Sequence, residues 1–231
     1  MAELARSLVV AFDLDDTLYR ELDYVRSGFR AVARTLEARW GLDAGRVFER
    51  LWEILEEQGR GKVFDTLLEE LGLSGQASVR GLVRAYRQHA PEIQLPALSR
   101  AVLDALADRP LYLVSDGHKG VQERKLQALD IRGRFRRCYL THRHGVARAK
   151  PSPWAFEQIA RREGRPPSQV VYVGDDPRKD FVGIRPLGFR SIRVLTGSHA
   201  GLRVPAARDA ELRVCSLAQV PGLVRAWESS L

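Results

Sequence analysis

The 231-residue sequence is poor in cysteine, histidine and lysine. Its two cysteines, Cys138 and Cys215, do not have the spacing of a metal site or a redox motif, so we expect free thiols in the reducing cytoplasm. No apolar run approaches the roughly 20 residues of a membrane helix, and we therefore expect no membrane partner. The apolar run 8–12 ends at Asp13 and is too short for a secretory signal.

Arginine dominates the positive charge, because the 37 basic residues include five lysines and the net charge is +8. The densest basic stretch is 132–150, which also contains Phe135 and Tyr139. Such a stretch could bind nucleic acid, or it could be a solvated surface that concentrates small anions. No recognised nucleic-acid motif accompanies it, so we favour the solvated surface over a nucleic-acid partner.

Apolar residues recur at spacings of three and four from residue 20 to residue 91, which predicts an all-helical block. The helical stripes lie at 22–40, 47–55, 64–71 and 79–86. Gly41 and Gly72 follow the first and third stripes, where glycine can end a helix, and Pro91 follows the fourth.

The rest of the chain alternates between short apolar runs, which predict buried strands, and helical patterns. We predict strands at 8–13, 111–115, 138–141, 169–174 and 191–195. We predict helices at 98–106, at 119–129, from Ser152 as N-cap, at 177–187 and at 217–227, with a loop at 203–211. Strands separated by helices form parallel sheets. The sequence therefore predicts a doubly wound, Rossmann-like α/β core, residues 1–19 and 92–231, with the helical block 20–91 inserted as a second domain.

Acidic or hydroxyl side chains follow several of the predicted strands. They are Asp13, Asp15, Asp16, Ser115, Asp116, Asp175 and Asp176. A single Asp after a strand is usually a turn former or a helix cap. Together, however, these residues should meet at the carboxyl edge of the sheet, where ligands bind. Close carboxylates repel one another by about 1 kcal/mol in water and about 4 kcal/mol at an effective dielectric of 20. A divalent cation would offset that repulsion, and oxygen ligands favour Mg²⁺ over Zn²⁺.

Four ordered motifs resemble those of the haloacid dehalogenase-like (HAD) superfamily. They are Asp13-Leu14-Asp15-Asp16-Thr17, Ser115, Lys150-Pro151 and Gly174-Asp175-Asp176-Pro177-Arg178-Lys179-Asp180. The resemblance extends from residue 8 to about residue 195, and the helical block resembles a cap of the C1 type. An acid at position 15, two residues after the nucleophile, is typical of the phosphatases of this family and absent from its dehalogenases. Asp116 departs from the family, since many relatives have Asn there.

The resemblance implies a role for each motif residue. Asp13 would attack phosphorus and form an aspartyl-phosphate, Asp15 would serve as acid and base, and Ser115 and Lys150 would bind the phosphoryl group. Mg²⁺ would be held by Asp13, by the backbone carbonyl of Asp15 and by Asp175. Support for these groups is expected from Thr17, Asp176 and Asp180. Further candidates for substrate contact are Tyr19, Arg20, Tyr24, Asp116 and Gly117.

The resulting hypothesis is a Mg²⁺-dependent phosphatase that hydrolyses a small phosphorylated metabolite of the sugar phosphate or nucleotide class. A phosphomutase would use the same residues and is the first alternative. A basic nucleic-acid-binding module with a vestigial site is the second. A phosphonate hydrolase is disfavoured, because the helical block offers only Lys62 for a Schiff base. The sequence leaves open the substrate and the oligomeric state.

Overall fold

A computed structural model of the chain describes residues 7–230. These residues divide into two compact units. One unit combines the residues up to Glu21 with those from Gln94 onwards, and the other is Leu22–Ile93. Among residues 7–230, none of the helices combines the length and the hydropathy that crossing a membrane requires.

The first unit contains a six-stranded sheet in which every pairing is parallel. Its strands are β1 Val9–Phe12, β2 Leu111–Ser115, β3 Arg137–Leu140, β4 Val170–Gly174, β5 Arg190–Val194 and β6 Leu212–Val214. The strand order is β3-β2-β1-β4-β5-β6, which is the order of a doubly wound α/β fold with its switch point between β1 and β4. The predicted fold class is confirmed.

Four helices accompany the sheet, and they are α5 Ala97–Ala105, α6 Lys119–Ala128, α7 Trp154–Glu163 and α8 Val220–Glu228. Strand residues Val9, Tyr112 and Tyr172 share one buried core with Phe156 of α7. The rings of Phe156 and Tyr172 meet edge to face at 4.6 Å between centroids. Burial of each such side chain contributes about 1.5–3 kcal/mol. This packing fixes α7, and the loop before it, against β4.

The second unit is helical. Its helices are α1 Glu21–Trp40 (which begins one residue before the unit), α2 Ala44–Gln58, α3 Val63–Glu70 and α4 Val79–Gln88. Asp43 and Ser78 accept hydrogen bonds from the backbone at the starts of α2 and α4, which stabilises both ends. The Phe29 ring lies 6.1 Å from the rings of Phe64 and Tyr86, inside a continuous apolar core. The apolar stripes therefore face one another.

One predicted helix is wrong, one begins a residue later than predicted, and one strand was not predicted. Residues 177–187 form turns and a short 3₁₀ segment, Arg185–Leu187, rather than a helix. The Asp180 carboxylate accepts the amides of Asp175 and Asp176 at the exit of β4, and Pro186 inside this stretch has no amide hydrogen for a helical ladder. Helix α7 starts after Pro153, not after Ser152. Strand β6 lies in the stretch between the predicted loop 203–211 and the predicted helix 217–227, where no element was predicted, and it pairs with β5.

Candidate active site

The carboxyl ends of β1, β2 and β4 bring Asp13, Ser115 and Asp175 to one edge of the sheet. All three residues are buried. The Asp13 amide donates to the Val173 carbonyl at 2.8 Å, so the exit of β1 is held directly against β4. Residues more than 150 positions apart in sequence thus become neighbours, as the strand-end pattern predicts.

Lys150 lies in the loop before α7, and its ammonium is fully inside the protein. It contacts Asp13 Oδ1 at 2.6 Å and Asp180 Oδ1 at 2.8 Å, and it donates to the Tyr172 hydroxyl at 2.8 Å. Burial alone would lower the pKa of Lys150, but the two carboxylates raise it well above its ordinary value. Lys150 is therefore a fixed positive charge that orients Asp13.

Asp13, Asp175 and Asp180 each offer an oxygen to one cluster whose atoms lie within 4.8 Å of one another. Burial raises the pKa of Asp13 to about 7, although Lys150 opposes the shift. Burial and the charges of Asp13 and Asp180 raise the pKa of Asp175 to about 9. Asp180 already accepts from Lys150 and from two backbone amides, so Asp13 and Asp175 are the carboxylates left for a metal. This donor set fits a hard divalent cation.

Asp15 is surrounded by hydrogen-bond donors that the sequence did not predict. Its Oδ1 accepts from the Tyr19 hydroxyl at 2.5 Å and from the Lys125 ammonium at 2.7 Å, and its Oδ2 accepts from Gln122 Nε2 at 2.8 Å. Burial alone would raise the pKa of Asp15, but Lys125 and the hydrogen bonds lower it below its ordinary value. The site therefore holds Asp15 as a carboxylate.

Asp116 and Gly117 follow Ser115 at the end of β2. Asp116 Oδ1 accepts from the Thr141 hydroxyl at 2.7 Å and from the Lys150 amide at 3.2 Å. The Asp116 carboxylate thus ties β2 to the loop that carries Lys150. Gly117 has a φ of 117°, and a Cβ there would lie 3.2 Å from Gln122 Nε2. Both residues therefore shape the loop, and substrate contact by either stays a prediction.

His199, in the loop after β5, is a second neighbour that the sequence did not predict. Its Nδ1 lies 2.7 Å from Asp175 Oδ2, and its Nε2 lies 3.8 Å from Asp176 Oδ2. Burial would raise the pKa of Asp176, but hydrogen bonds from Arg178 lower it to about 2. The Asp16 carboxylate binds the backbone of Glu21 at 2.9 Å. Asp16, Asp175 and His199 form a second group, whose potential ligand atoms lie within 4.8 Å of one another and which shares Asp175 with the first.

The remaining predicted residues lie in different places. Thr17 is buried, and its hydroxyl has no hydrogen-bond partner among the described residues. Arg20 is exposed. Tyr24 lies inside the helical unit, where its hydroxyl donates to the Tyr86 carbonyl at 3.3 Å and its ring packs on His89. Packing therefore accounts for the burial of Tyr24, and its contact with a substrate stays a prediction.

Acidic and aromatic side chains accompany the basic stretch 132–150. Glu123 pairs with both Arg132 and Arg143, and Glu163 pairs with Arg136 at 2.7 Å. Much of the local charge is neutralised within the protein. The pairing supports the solvated-surface interpretation over a nucleic-acid interface.

Comparison with known proteins places this geometry in context. The sequence model of one protein family, the haloacid dehalogenase-like hydrolases, matches residues 8–188 of the chain. The chain is 30% identical over 203 residues to a glyceraldehyde 3-phosphate phosphatase of Methanopyrus kandleri, covering 82% of this chain and 84% of that protein. It is 28% identical over 224 residues to a phosphoserine phosphatase of Thermus thermophilus, covering 82% and 89%. A crystal structure of a HAD-superfamily hydrolase, subfamily IA, variant 1, from Geobacter sulfurreducens has the same fold, with a TM-score of 0.66, 18% identity and coverage of 95% and 97%.

Proposed function

The chain belongs to the haloacid dehalogenase-like hydrolases, and we propose that it is a Mg²⁺-dependent phosphatase that hydrolyses a small phosphorylated metabolite in the cytoplasm. The phosphatase names of the two curated relatives support hydrolysis of a phosphate ester. The observation that carries the proposal is the buried group formed by Asp13, Asp175, Asp180 and Lys150 next to Asp15.

Asp13 is the proposed nucleophile. Its Oδ1 is held by Lys150, which leaves Oδ2 to attack phosphorus and form an aspartyl-phosphate. The Ser115 hydroxyl, 3.0 Å from Gln122 Nε2, would donate to a phosphoryl oxygen. Asp13, Asp175 and the Asp15 carbonyl would hold Mg²⁺, which when bound supplies positive charge to the phosphate and to the carboxylates.

Asp15 is the proposed acid and base. It would give a proton to the leaving oxygen and then take one from the water that hydrolyses the aspartyl-phosphate. The lowered pKa of Asp15 means that it must first gain a proton before it can act as an acid. Such gain is expected when the substrate dianion adds negative charge beside it.

The helical unit Leu22–Ile93 is the proposed cap, of the C1 type. It contains none of the residues assigned to phosphoryl transfer, so its proposed task is to contact the leaving group and exclude water. Exposed Arg20 stands next to the crossing between the two units and is a candidate for substrate selection.

Phosphate release from a panel of esters tests the proposal. The panel contains glyceraldehyde 3-phosphate, O-phosphoserine, several sugar phosphates and nucleoside monophosphates, each with Mg²⁺. We expect release from at least one ester and none with Asp13→Asn. Conversion of an ester to its isomer without free phosphate would instead favour a phosphomutase. Release that persists in Asp13→Asn would contradict the proposed nucleophile.

A further inference from the structure

Helix α6 directs two buried polar side chains at the Asp15 carboxylate. Lys125 and Gln122 are three residues apart and therefore lie on one face of the helix. Each is 3% exposed. Lys125 Nζ lies 2.7 Å from Asp15 Oδ1, and Gln122 Nε2 lies 2.8 Å from Asp15 Oδ2. Side chains of α6 thus donate hydrogen bonds to both oxygens of the Asp15 carboxylate.

Burying these two polar side chains costs more free energy than holding α6 against the sheet with apolar residues would. A buried ammonium loses its hydration, and replacing a buried ion pair by apolar residues is often neutral or stabilising. The carbonyl oxygen of Gln122 is also buried and has no hydrogen-bond partner among residues 7–230. Buried polar groups that are left unpaired concentrate at functional sites.

The hydrogen bonds divide unequally between the two oxygens of Asp15. A carboxylate oxygen offers about two lone-pair sites. Oδ1 accepts from both Tyr19 and Lys125, so its sites are filled. Oδ2 accepts from Gln122 alone among the described residues. One site on Oδ2 is therefore left for a proton.

Gln122 also connects this oxygen to the end of β2. Its Nε2 lies 3.0 Å from Ser115 Oγ and 2.5 Å from the Asp116 carbonyl. The same amide group therefore sets the distance between Asp15 Oδ2 and the hydroxyl proposed to bind the phosphoryl group.

We propose that Lys125 and Gln122 are positioning residues for the acid and base Asp15, and that Asp15 Oδ2 is the oxygen that transfers the proton. Lys125 fixes Oδ1 so that it does not compete for the proton, and Gln122 aligns Oδ2 with the leaving oxygen of the substrate. The proposal rests on the proposed function, in which Asp15 protonates the leaving group.

The leaving group of the substrate provides the kinetic test. An alkyl phosphate needs a proton on its leaving oxygen, whereas 4-nitrophenyl phosphate does not. The value of kcat/KM covers steps up to release of the leaving group. Lys125→Met and Gln122→Ala should lower kcat/KM about 100-fold for the alkyl ester found in the panel, mainly through kcat. For 4-nitrophenyl phosphate, kcat/KM should change less than about fivefold, with a burst of nitrophenol because water activation still needs Asp15.

Lys119→Met is the matched control, because Lys119 is an exposed lysine on the same helix. It should behave like the wild type with both esters. The variant Asp15→Asn distinguishes a failure of the positioning inference from a failure of the proposed acid role of Asp15. Leaving-group dependence in Asp15→Asn but not in the two positioning variants would overturn the inference alone. No such dependence in Asp15→Asn would overturn the proposed acid role and the inference with it.

Crystal structures of Lys125→Met and Gln122→Ala give a readout that does not need turnover. We expect the Asp15 carboxylate to rotate or to lose a single orientation in both variants, while Asp13 and Lys150 stay in place. An Asp15 carboxylate that keeps its orientation in both structures would refute the positioning role. If Lys125→Met fails to fold, Gln122→Ala, which keeps the ion pair, still decides the question.

Discussion

Removing one charge from the buried acidic cluster should stabilise the chain when no metal is bound. Asp13, Asp175 and Asp180 crowd their oxygens into one cluster, and Lys150 is the ammonium that contacts two of them. Burial and the neighbouring carboxylates raise the pKa of Asp175 to about 9, above the value of about 7 for Asp13. The change to test is therefore Asp175→Asn, which keeps the shape of the side chain and removes its charge.

The direction of the pH dependence follows from proton binding in the folded and unfolded states. A folded chain with the pKa of Asp175 at about 9 keeps a proton that the unfolded chain, with an ordinary value of 3.8, has already released. The free energy of unfolding of the metal-free protein should therefore fall as the pH rises from about 4 towards 9. At pH 8 about four units separate the pH from the ordinary pKa, and each unit corresponds to about 1.4 kcal/mol.

This interval gives an upper limit of about 6 kcal/mol for the stability that Asp175→Asn gains over the wild type at pH 8. Because the carboxylates of the cluster share the proton, part of the energetic penalty remains in the variant. We therefore expect a stability gain of about 3 kcal/mol, half of the upper limit. For a chain of this size, that difference raises the melting temperature of Asp175→Asn by roughly 6–12 °C relative to the wild type. At pH 5 the gain should shrink to about 1 kcal/mol or less.

Thermal unfolding in EDTA at pH 5, 6, 7 and 8 measures this difference. Asp23→Asn is the control, since Asp23 is exposed on α1 and its variant should follow the pH dependence of the wild type. Adding Mg²⁺ at pH 8 should stabilise the wild type and have little effect on Asp175→Asn. If Asp175→Asn is less stable than the wild type at pH 8, or if the gap does not change with pH, charge crowding does not control the stability of this site.

Four further outcomes are expected. Asp13→Asn should abolish phosphate release without loss of helical circular dichroism, and turnover within tenfold of the wild type would contradict the proposed nucleophile. EDTA should stop turnover and Mg²⁺ should restore it, with Ca²⁺ a poor substitute because it prefers more ligands at longer distances; full activity in metal-free buffer would argue against a metal site. Arg20→Ala should change kcat/KM unevenly across the ester panel, whereas Ser115→Ala should lower it for every ester; equal losses in both would remove Arg20 from substrate selection. Gly183→Ala should destabilise the chain by several kcal/mol, because its Cβ would lie 1.7 Å from the Pro151 carbonyl oxygen; an unchanged melting temperature would show that this loop moves freely.

Most of the sheet could be predicted because its central strands are buried on both faces. The apolar runs that form β2 and β4 are too short for helices and too continuous for surface strands. The prediction failed where side chains, rather than apolar spacing, decide the backbone. Pro186 interrupts the apolar spacing predicted as a helix over 177–187, because its ring leaves no amide hydrogen. The three-residue strand β6 carries an exposed Arg213 between Leu212 and Val214.

The acidic residues of the candidate site could be predicted because strand ends of a parallel sheet share one edge. Lys125, Gln122 and His199 could not, because their neighbours depend on how the helices and loops lie over that edge. Gln122 and Lys125 sit in a helix with polar side chains at six of its ten positions, so nothing in the local pattern distinguishes them from a solvated surface. Their contacts with Asp15 span more than 100 residues of sequence.

The positions of the few lysines nevertheless help to indicate this site. In a chain whose 37 basic residues include five lysines, Lys125 and Lys150 are buried against carboxylates and Lys179 is half-buried. The charges of Asp13 and Asp180 help to raise the pKa of Lys179 against the effect of burial. An ammonium is a compact point charge, whereas the planar guanidinium of arginine needs a wider, forked set of partners. The compact ammonium suits the buried positions of Lys125 and Lys150 beside carboxylates, whereas Lys62 and Lys119 are exposed. In this arginine-rich chain a lysine therefore indicates the site only in combination with the acidic residues that follow β1 and β4.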